Sequence, residues 1–528
     1  MTEEYTDMPS VTGIADEQSI EESSAADPKA SLAATSIDSS QSDSSQPGVS
    51  NQSGNVSSTS STTDGWIGGI SFSTEFYNPV MANDFMGDPY IANYSGNYYY
   101  TESTGTGIVI RNSKTLSGLL ATTNDGKTIW QGKSNNLSLI WAPEIHFVNG
   151  VWYAYFAGSN NGATVNGSIP KDKNLVHRMY VLKSRTSDPM GEWDFIGKLE
   201  LPEDQWAIDG TLFQNDDGKL YFIWSGWKDF SEGPNVWKQN LYICELSDPV
   251  TVKSDTSRVQ ICESAYNWEK AVLPQIEGPV ILKTPNGNIK CVYSASYSGS
   301  NNYALGELTL NGDPMNSSSW SKRSTPILKS DAANNVYSPG HCSFTTSPDQ
   351  NEIWIIYHAA KQKDAGWDRS ARIQKVEFDS SGNIVMDGAL NTNQSYLIPS
   401  GETVDRRLYE IESGILTNTS TVFYNDAHGG TAVKLLGSDS KIDLNVTPPS
   451  SGTYIVYVRY TNPFNYTKNL YITLNNGKDY KVSIKKCGGE GQFAMMACKV
   501  SLTDGDNSLS FWGNQGIALD AVIFEKAS

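Results

Sequence analysis

The feature that most constrains the fold is a pattern that recurs five times between residues 66 and 400. In each copy a short strand-like run opens on a polar residue, and a turn then leads into an aromatic strand. The copies "WAPEIHFVNGVWYAYFAGS" and "AIDGTLFQNDDGKLYFIWSGW" show the pattern clearly. The five opening residues are Asp88, Glu144, Asp209, Glu277 and His341, at spacings of 56, 65, 68 and 64 residues.

The length of this repeat indicates a propeller blade. About 65 residues hold four strands with their loops, which is one blade with room for insertions. Five copies therefore predict a five-bladed β-propeller over residues 66–404. The innermost strand of each blade runs along the central axis, so the five opening residues would converge on one cavity although they lie far apart in the chain.

Two further segments flank the repeats. Residues 1–65 are rich in Ser, Thr, Asp, Glu and Gln and nearly free of aromatic residues, which predicts a disordered acidic tail or linker. Residues 405–528 return to alternating strand patterns, as in "GTYIVYVRYTN", at the spacing of a β-sandwich. The predicted fold class is all-β: a five-bladed β-propeller followed by a β-sandwich (jelly-roll) domain.

The charge argues against several classes of partner. A net charge of -19 disfavours the basic patches that meet phosphate, so neither nucleic acid nor an anionic membrane is expected as a partner. No apolar run approaches the roughly 20 residues that span a bilayer, and the first residues lack the basic and hydrophobic regions of a signal peptide. We expect either that a leader has been removed or that the protein is not exported by that route.

Six cysteines in 528 residues do not make a disulfide scaffold. Cys244 and Cys291 lie inside strand-like runs and are expected to be small buried hydrophobic residues. The sequence leaves open whether Cys487 and Cys498 pair. No Cys or His cluster has zinc spacing, and there is no glycine loop for phosphate.

The predicted cavity would bring several carboxyl groups together. Two acids suit hydrolysis of a glycosidic bond, because one protonates the leaving oxygen while the other activates water or attacks. A third carboxylate nearby raises the pKa of the acid. Aromatic residues around the opening positions suit sugars, whose C–H faces stack on rings, although blade packing accounts for most of the 14 Trp and 27 Tyr.

The stretches "GDPYI", "WAPEIHFVNGVWYAYFA", "IDGTLFQNDDGKLYFIW", "IEGPVILK" and "SPGHCSF", in this order, resemble glycoside hydrolase family 43 of the arabinofuranosidase and xylosidase type over residues 75–390. The family has a five-bladed propeller and hydrolyses arabinose- or xylose-containing plant polysaccharides with inversion. The resemblance implies that Asp88 is the general base and Glu277 the general acid. It implies that Asp209 raises the pKa of Glu277 and orients it. Inversion implies that the carboxyl groups of Asp88 and Glu277 stand roughly 6.5–9.5 Å apart.

The same resemblance implies further site residues. His341 matches an axial histidine that lies beside a calcium ion held through waters; a histidine satisfied by core hydrogen bonds is the alternative. Arg369 matches an arginine that contacts the terminal sugar, with Arg372 as the competing choice and a surface ion pair as the alternative. Trp141 is a candidate sugar contact in the "WAP" stretch that frames the pocket, and Glu144 is expected to be structural.

The C-terminal segment resembles carbohydrate-binding modules of families 6 and 35. The resemblance rests on "LYEIESG", "SGTYIVYVRYTN" and "NSLSFWGNQGIALDAVIFE". It implies a structural calcium near Glu410, Glu412 and Asp520, because carboxylate oxygens are calcium ligands. Trp512 and Asn514 are candidate sugar contacts, with a core position as the alternative for Trp512.

The sequence thus predicts an inverting glycoside hydrolase that releases α-L-arabinofuranosyl residues from arabinan or arabinoxylan. It needs no cofactor for catalysis, and structural Ca²⁺ is expected. A β-xylosidase is the alternative within the family, and an endo-arabinanase is a further one. From other classes, the alternatives are a non-catalytic propeller lectin and a structural surface protein. The expected partner is a plant cell-wall polysaccharide or oligosaccharide met outside the cell or at its surface, and the oligomeric state stays open.

Overall fold

The computed structural model describes residues 65–82, 87–123, 125–233, 236–513 and 515–527. The predicted acidic tail therefore lies outside the described residues, apart from its last position. Within the described ranges the regular structure is β-strand with short 3-10 helices and no α-helix, as the all-β prediction requires. The 3-10 helices are Leu119–Thr122, Gly132–Asn135, Lys173–Val176, Asn267–Lys270, Ser317–Ser319, Ile411–Ser413 and His428–Gly430.

Five antiparallel sheets form the blades of a propeller, and in each the strands follow chain order from the axis outwards. Blade 1 comprises Tyr90–Tyr94, Asn97–Ser103, Gly107–Ser113 and Lys127–Gln131. Blade 2 comprises Leu137–Val148, Val151–Asn160, His177–Ser184 and Trp193–Lys198. Blade 3 comprises Ala207–Gln214, Leu220–Gly226, Asn240–Asp248, Thr251–Val252 and Val259–Cys262. Blade 4 comprises Ile276–Lys283, Ile289–Ala295, Ala304–Leu310 and Trp320–Lys322, and blade 5 comprises Tyr337–Thr346, Ile353–Ala360, Arg369–Phe378 and Ile384–Val385.

Contacts between the first strands close the propeller. The first strand of each blade contacts that of the next, and the first strand of blade 5 contacts that of blade 1. The segment before blade 1 also ties the ring together, because the Asn78 side-chain amide donates to the Ile373 carbonyl of blade 5 at 2.9 Å. Five blades that meet in this way confirm the five-bladed propeller predicted from the repeats.

The propeller core lies between neighbouring blades rather than in one central mass. Tyr99 of blade 1 and Trp152 of blade 2 belong to one buried cluster, and Ile243 of blade 3 and Val292 of blade 4 lie in two others. Strands covered on both faces read as continuous apolar runs, and Leu220–Gly226 is buried along its whole length. The tight turn at Asn149 and Gly150, with φ of 50° and 84°, is the left-handed pair that an Asn-Gly hairpin favours.

The C-terminal region is a β-sandwich of two sheets. A shared core lies between them, in which Val433 and Leu435 of one sheet meet Ile442 and Leu444 of the other. The first sheet contains Ile70–Ser71, Arg406–Glu410, Thr419–Phe423, Thr431–Leu435, Gly452–Thr461, Ala494–Leu502 and Ala518–Lys526. The second contains Ile415–Thr417, Lys441–Val446, Lys468–Leu474, Lys478–Ile484 and Asn507–Gly513.

The start of the propeller differs from the predicted boundary at residue 66. Ile70–Ser71 pairs with Arg406–Glu410 in the sandwich, and Trp66, 3% exposed, packs on Tyr454 at 5.6 Å between ring centroids. This segment completes the sandwich core, although more than 300 residues of sequence separate it from the residues that it contacts. Such long-range pairing leaves no local signal in the sequence. The remaining strands, Glu75–Tyr77 and Ser395–Leu397, pair with each other.

All six cysteines are free thiols. Cys244 and Cys291 are fully buried, which confirms the expectation for both. Cys487 and Cys498 do not pair, and the Cys487 sulfur accepts a hydrogen bond from the backbone N–H of Asn462 at 2.9 Å. Separately, among the described residues no helix is long and apolar enough to cross a membrane.

Candidate active site

A left-handed residue lies within the inner strand of each of blades 2 to 5, and two residues before that strand in blade 1. These residues are Asp88, Ala142, Asp209, Gly278 and His341, with φ of 53°, 43°, 52°, 55° and 38°. In blades 2 to 5 the pairing register between the first and second strands shifts at this point. A bulge of this kind redirects a side chain, and a left-handed conformation is costly for residues other than glycine. The repeated distortion therefore indicates a common site at one end of the propeller axis.

In blade 2 the predicted opening residue lies beyond the left-handed positions. Leu139 and Ala142 both have the left-handed conformation in this strand, and Glu144 lies two residues after Ala142. Glu144 is buried, and its carboxylate pairs with His146 Nε2 at 2.8 Å. The polar side chain in the "WAP" copy thus serves a local contact, in line with the structural role expected for it.

Three of the predicted site residues meet directly. His341 Nδ1 lies 3.2 Å from Asp88 Oδ1 and 3.8 Å from Asp209 Oδ2. The backbone N–H of His341 donates to Ser294 Oγ at 2.7 Å, which fixes the left-handed turn. The imidazole therefore stands between two carboxylates that are 121 residues apart in the chain, as convergence on the axis predicts.

Glu277 is linked to the same cluster through the peptide group that follows it, and its carboxylate is hydrogen-bonded to the hydroxyl of Tyr303. The carboxylate of Asp209 accepts a hydrogen bond from the N–H of Gly278 at 3.1 Å, next to Glu277 in the strand. The Tyr303 hydroxyl donates to Glu277 Oε1 at 2.8 Å. Because Asp209 holds the peptide that follows Glu277, it limits how the Glu277 side chain enters the cavity.

Burial separates the three acids electrostatically. Asp209 and Glu277 are only 6% and 7% exposed, whereas the side chain of Asp88 is 32% exposed. Burial raises the pKa of Glu277 to about 7; the charge of Asp88 adds to this and the Tyr303 hydrogen bond opposes it. Burial, and next the charge of Glu277, raises the pKa of Asp209 well above its usual value. The cluster therefore combines two buried carboxyl groups whose pKa values are raised with one carboxyl group that faces solvent.

Arg369 lies beside this cluster and Arg372 does not. Arg369 Nη1 is 3.7 Å from Asp88 Oδ1, and Arg369 Nη2 donates to the Ser298 carbonyl at 2.8 Å. Arg372 is buried at 2% exposure, and its Nη1 donates to the carbonyl of Leu390 at 3.4 Å. The geometry therefore favours Arg369 of the two candidates.

Two residues of the cluster were not among the sequence candidates. His358 accepts the Asp88 backbone N–H on its Nδ1 at 3.0 Å and is completely buried. Burial, helped by the charges of Arg369 and His341, holds the pKa of His358 well below its usual value, so it is a neutral ring. Tyr303, the partner of Glu277, stacks on His358 at 5.8 Å. The rarity of histidine, five in 528 residues, was the one signal that pointed to His358.

Trp141 lies in the inner strand of blade 2 and packs on a neighbouring ring. Its ring stacks on His177 with centroids 3.8 Å apart, and His177 in turn lies edge-on to Trp206 at 6.3 Å. Burial lowers the pKa of His177 to about 4, so this ring is also neutral. Trp141 has no part in the described hydrogen bonds of the acid cluster, and its predicted contact with sugar stays a prediction.

A second group of acids lies in the sandwich at the positions predicted for calcium. Asp520 forms an ion pair with Arg459, and Glu410 contacts His428 Nδ1. One oxygen each of Glu410, Glu412 and Asp520 is buried without a hydrogen-bond partner. Burial raises the pKa of Glu412, and the charges of Glu410 and Asp520 raise it further, which shows that the three groups are near one another.

No set of three His, Cys, Asp or Glu side chains in the described ranges converges as a formed metal site does. The unpartnered oxygens nevertheless fit calcium, which takes six to eight oxygen ligands and accepts backbone carbonyls and waters among them. Both calcium sites, in the sandwich and beside His341, stay predictions.

Trp512 is not a core residue of the sandwich. Its neighbours Leu509 and Phe511 belong to the core, whereas Trp512 lies half-buried on the opposite face of the sheet. There it stacks on Tyr471 with centroids 4.4 Å apart, and its Nε1 donates to Thr473 Oγ1 at 2.8 Å. Asn514, the other candidate sugar contact, lies outside the described residues.

Comparisons of the sequence find named relatives. An extracellular exo-alpha-(1->5)-L-arabinofuranosidase from Streptomyces avermitilis is 32% identical over 324 residues, which are 59% of this chain and 63% of that protein. The chain thus spans less than two thirds of that relative's length. Alpha-L-arabinofuranosidase 43 from Humicola insolens is 29% identical over 402 residues, 72% of this chain and 77% of that protein.

Solved structures show the same fold. A crystal structure of alpha-L-arabinofuranosidase from Lactobacillus brevis matches with a TM-score of 0.52 and 31% identity, over 60% of this chain and 98% of its own. An exo-beta-1,3-galactanase from Phanerochaete chrysosporium matches 86% of this chain and 100% of its own with a TM-score of 0.50. At 16% identity that second match is a likeness of fold alone.

The family assignment rests on the propeller. The family model of glycosyl hydrolases family 43 matches residues 76–384, which is more than half of the chain and includes all five blades. Its range also contains Asp88, Asp209 and Glu277. With this match and the convergence of these acids on the axis, the chain belongs to family 43 of the glycosyl hydrolases.

Proposed function

We propose that this protein is an inverting α-L-arabinofuranosidase that releases terminal arabinofuranosyl units from arabinan or arabinoxylan outside the cell. The observation that carries the proposal is the contrast between Glu277, buried with a pKa of about 7, and the more exposed carboxylate of Asp88. A general acid must keep a proton near neutral pH, and a general base must be ionised and reach water.

Glu277 takes the part of the general acid. Its proton goes to the glycosidic oxygen as the bond to the anomeric carbon breaks, and Tyr303 holds one carboxyl oxygen in place from behind at 2.8 Å. Asp88 takes a proton from a water that attacks the anomeric carbon from the opposite face. The anomeric configuration of the product sugar is therefore inverted. To leave room for the attacking water, the two carboxyl groups must stand roughly 6.5–9.5 Å apart.

Asp209 acts on Glu277 rather than on the sugar. Its carboxylate accepts the Gly278 N–H, and in the buried space that the two groups share the charge of Glu277 raises the pKa of Asp209. A pair of this kind shares one proton near neutrality. We assign that proton to Glu277, because one Asp209 oxygen already accepts the Gly278 N–H.

The relatives support arabinose as the sugar and a location outside the cell. The two relatives found by sequence are named arabinofuranosidases, and that from Streptomyces avermitilis is also named extracellular. Arg369 is the residue proposed to contact the terminal sugar, since its guanidinium lies beside the solvent-facing carboxylate of Asp88. In the sandwich, the proposed sugar contact is the half-buried pair of Trp512 and Tyr471.

The test is hydrolysis of p-nitrophenyl α-L-arabinofuranoside, p-nitrophenyl β-D-xyloside and arabino-oligosaccharides by wild type and Glu277→Ala. Because p-nitrophenolate leaves without a proton, the variant should lose about 10²-fold or more on oligosaccharides and far less on the nitrophenyl arabinoside. Glu402→Gln is the matched control, since burial raises the pKa of Glu402 to about 7 as well, and Glu402 is bonded to Ser117 away from the axis.

Two other outcomes would indicate a different function. Faster cleavage of the xyloside than of the arabinoside would make the protein a β-xylosidase. Binding of arabinan or xylan with no cleavage of any pentoside would make it a lectin, and the three acids would then be ligands for sugar hydroxyl groups.

A further inference from the structure

A loop of the sandwich reaches the propeller at blade 5. The loop joins strands Lys478–Ile484 and Ala494–Leu502, and its Lys486 Nζ lies 2.6 Å from Asp368 Oδ2. The other oxygen of Asp368 is 3.0 Å from Lys361 Nζ of the propeller. Asp368 is only 6% exposed, so this carboxylate is held between ammonium groups from two domains.

The same loop packs closely against the propeller backbone. At Gly488, where φ is 99°, a Cβ atom would lie 2.6 Å from the Lys361 carbonyl oxygen. Any other residue would push the loop away from blade 5. The contact of Lys486 with Asp368 is therefore part of a fitted surface and not a chance approach of two long side chains.

Asp368 stands between two residues that build the wall of the candidate active site. Trp367 Nε1 donates to Ser298 Oγ at 3.2 Å, and Arg369 Nη2 donates to the Ser298 carbonyl at 2.8 Å. Ser298 precedes Tyr303, the hydroxyl partner of Glu277, in the same blade 4 loop. The segment around Asp368 thus joins Arg369 to the loop that supports Glu277.

We propose that Lys486 of the sandwich is a positioning residue for the active site. Its ion pair compensates the buried charge of Asp368 and holds the segment Trp367–Arg369, and through it the guanidinium beside Asp88. Without Lys486 the buried carboxylate keeps one cation, and the segment is expected to move toward solvent. A displacement of about 1 Å in a group that positions substrate costs on the order of 10²-fold. The proposal rests on the proposed function in so far as Arg369 contacts the sugar.

A second ion pair between the two domains supplies a matched control. Lys499 of the sandwich pairs with Asp125 of blade 1, where both side chains are about half exposed. Asp125 lies in the connection between the third and fourth strands, whereas Asp368 lies between the second and third. In an antiparallel blade these two connections are at opposite ends. Lys499 therefore tests docking of the domains away from the cavity mouth.

The experiment compares full-length Lys486→Ala, Lys486→Arg and Lys499→Ala with wild type. Hydrolysis of p-nitrophenyl α-L-arabinofuranoside gives KM and kcat, and hydrogen–deuterium exchange follows residues 297–303 and 361–369. For Lys486→Ala we expect a rise in KM of about fivefold or more, because Arg369 contacts bound sugar, and faster exchange in both segments. Lys486→Arg should keep KM and the exchange rates near the wild-type values. The KM of Lys499→Ala should stay within about twofold of that of wild type.

Two results would overturn the proposal. One is unchanged KM and unchanged exchange in Lys486→Ala. The other is an equal loss in Lys486→Ala and Lys499→Ala, which would show that the ion pairs only dock the domains. If the wild type cleaves no pentoside, the proposed function fails, whereas the exchange of residues 361–369 still decides whether Lys486 holds this segment.

Discussion

The propeller and the sandwich each contain a group of three acids, and the two groups differ in where their cations lie. In the sandwich, Arg459 pairs directly with Asp520, and both are at most 1% exposed. In the propeller, Glu277 has a tyrosine hydroxyl as its hydrogen-bond partner, and Arg369 approaches Asp88 only to 3.7 Å. A directly paired carboxylate is fixed as part of the structure. A buried one without such a cation retains its proton and stays available for chemistry.

The largest expected effect is a difference in catalytic activity between variants of the propeller acids and variants of the sandwich acids. Asp88→Asn should lower the hydrolysis of both nitrophenyl and oligosaccharide substrates by about 10²- to 10⁴-fold, because the water loses its base whatever the leaving group. The matched change in the sandwich, Glu412→Gln, should leave initial rates at 25 °C near those of wild type. Equal losses in both variants would remove the distinction between the two groups.

The second effect separates them by stability. Asp520→Asn leaves the buried guanidinium of Arg459 without its anion and should lower the free energy of unfolding by about 3–5 kcal/mol. Thermal unfolding followed by circular dichroism measures this. Asp443→Asn, whose partner Lys441 is well exposed, should cost about 1 kcal/mol or less. A cost as small for Asp520→Asn would mean that the sandwich pair is not structural.

A third effect tests whether a cation completes the sandwich group. If Ca²⁺ binds the unpartnered oxygens of Glu410, Glu412 and Asp520, free ion at 100 times its dissociation constant adds about 2.7 kcal/mol. The thermal midpoint of wild type should then fall by several degrees with a chelator and recover with Ca²⁺. Glu412→Gln should lose that response. A thermal midpoint that changes with neither chelator nor Ca²⁺ would exclude the calcium site.

The smallest effect is the pH dependence of the propeller group. Glu277 must be protonated to act as an acid, so oligosaccharide hydrolysis should fall about tenfold per pH unit once the pH exceeds its pKa of about 7. Because this pKa is raised from 4.5, the contribution of Glu277 to stability is complete below about pH 4.5 and is lost as the pH rises through 7.

Glu277→Gln, which carries no charge, should therefore unfold at a higher temperature than wild type at pH 8 and at about the same temperature at pH 4.5. Glu402→Gln should show a similar change in stability, because burial raises the pKa of Glu402 to about 7 too. It should leave the pH profile of hydrolysis unchanged. A shifted profile in Glu402→Gln would mean that Glu277 does not set the alkaline limit.

Much of the fold could be predicted because it repeats. A blade is a local unit, and its turns and aromatic strands recur within about 65 residues, so the pattern is visible without any structure. The boundary at residue 66 could not be predicted in this way. Trp66 belongs to a core built by residues more than 300 positions away, and nothing near it in the sequence records that pairing.

The candidate site was predicted in part. The openings of the repeats pointed to Asp88, Asp209, Glu277 and His341, and the structure brings Asp88 and Asp209 onto His341 and bonds Asp209 to the residue after Glu277. Their supporting residues were not found. Tyr303 has no place in the repeat, because a hydroxyl that reaches a carboxylate from the loop between the second and third strands of the blade is defined by distance and not by spacing.

The sequence by itself determined the number of blades, the strand content and which acids open the inner strands, because these follow from local periodicity and composition. Only the tertiary structure decided which carboxyl group keeps its proton, which arginine faces the cavity and which sandwich residue touches the active-site wall. Those properties depend on burial and on charges brought together from distant parts of the chain. Electrostatic interactions act through space, and their strength is set only after the chain has folded.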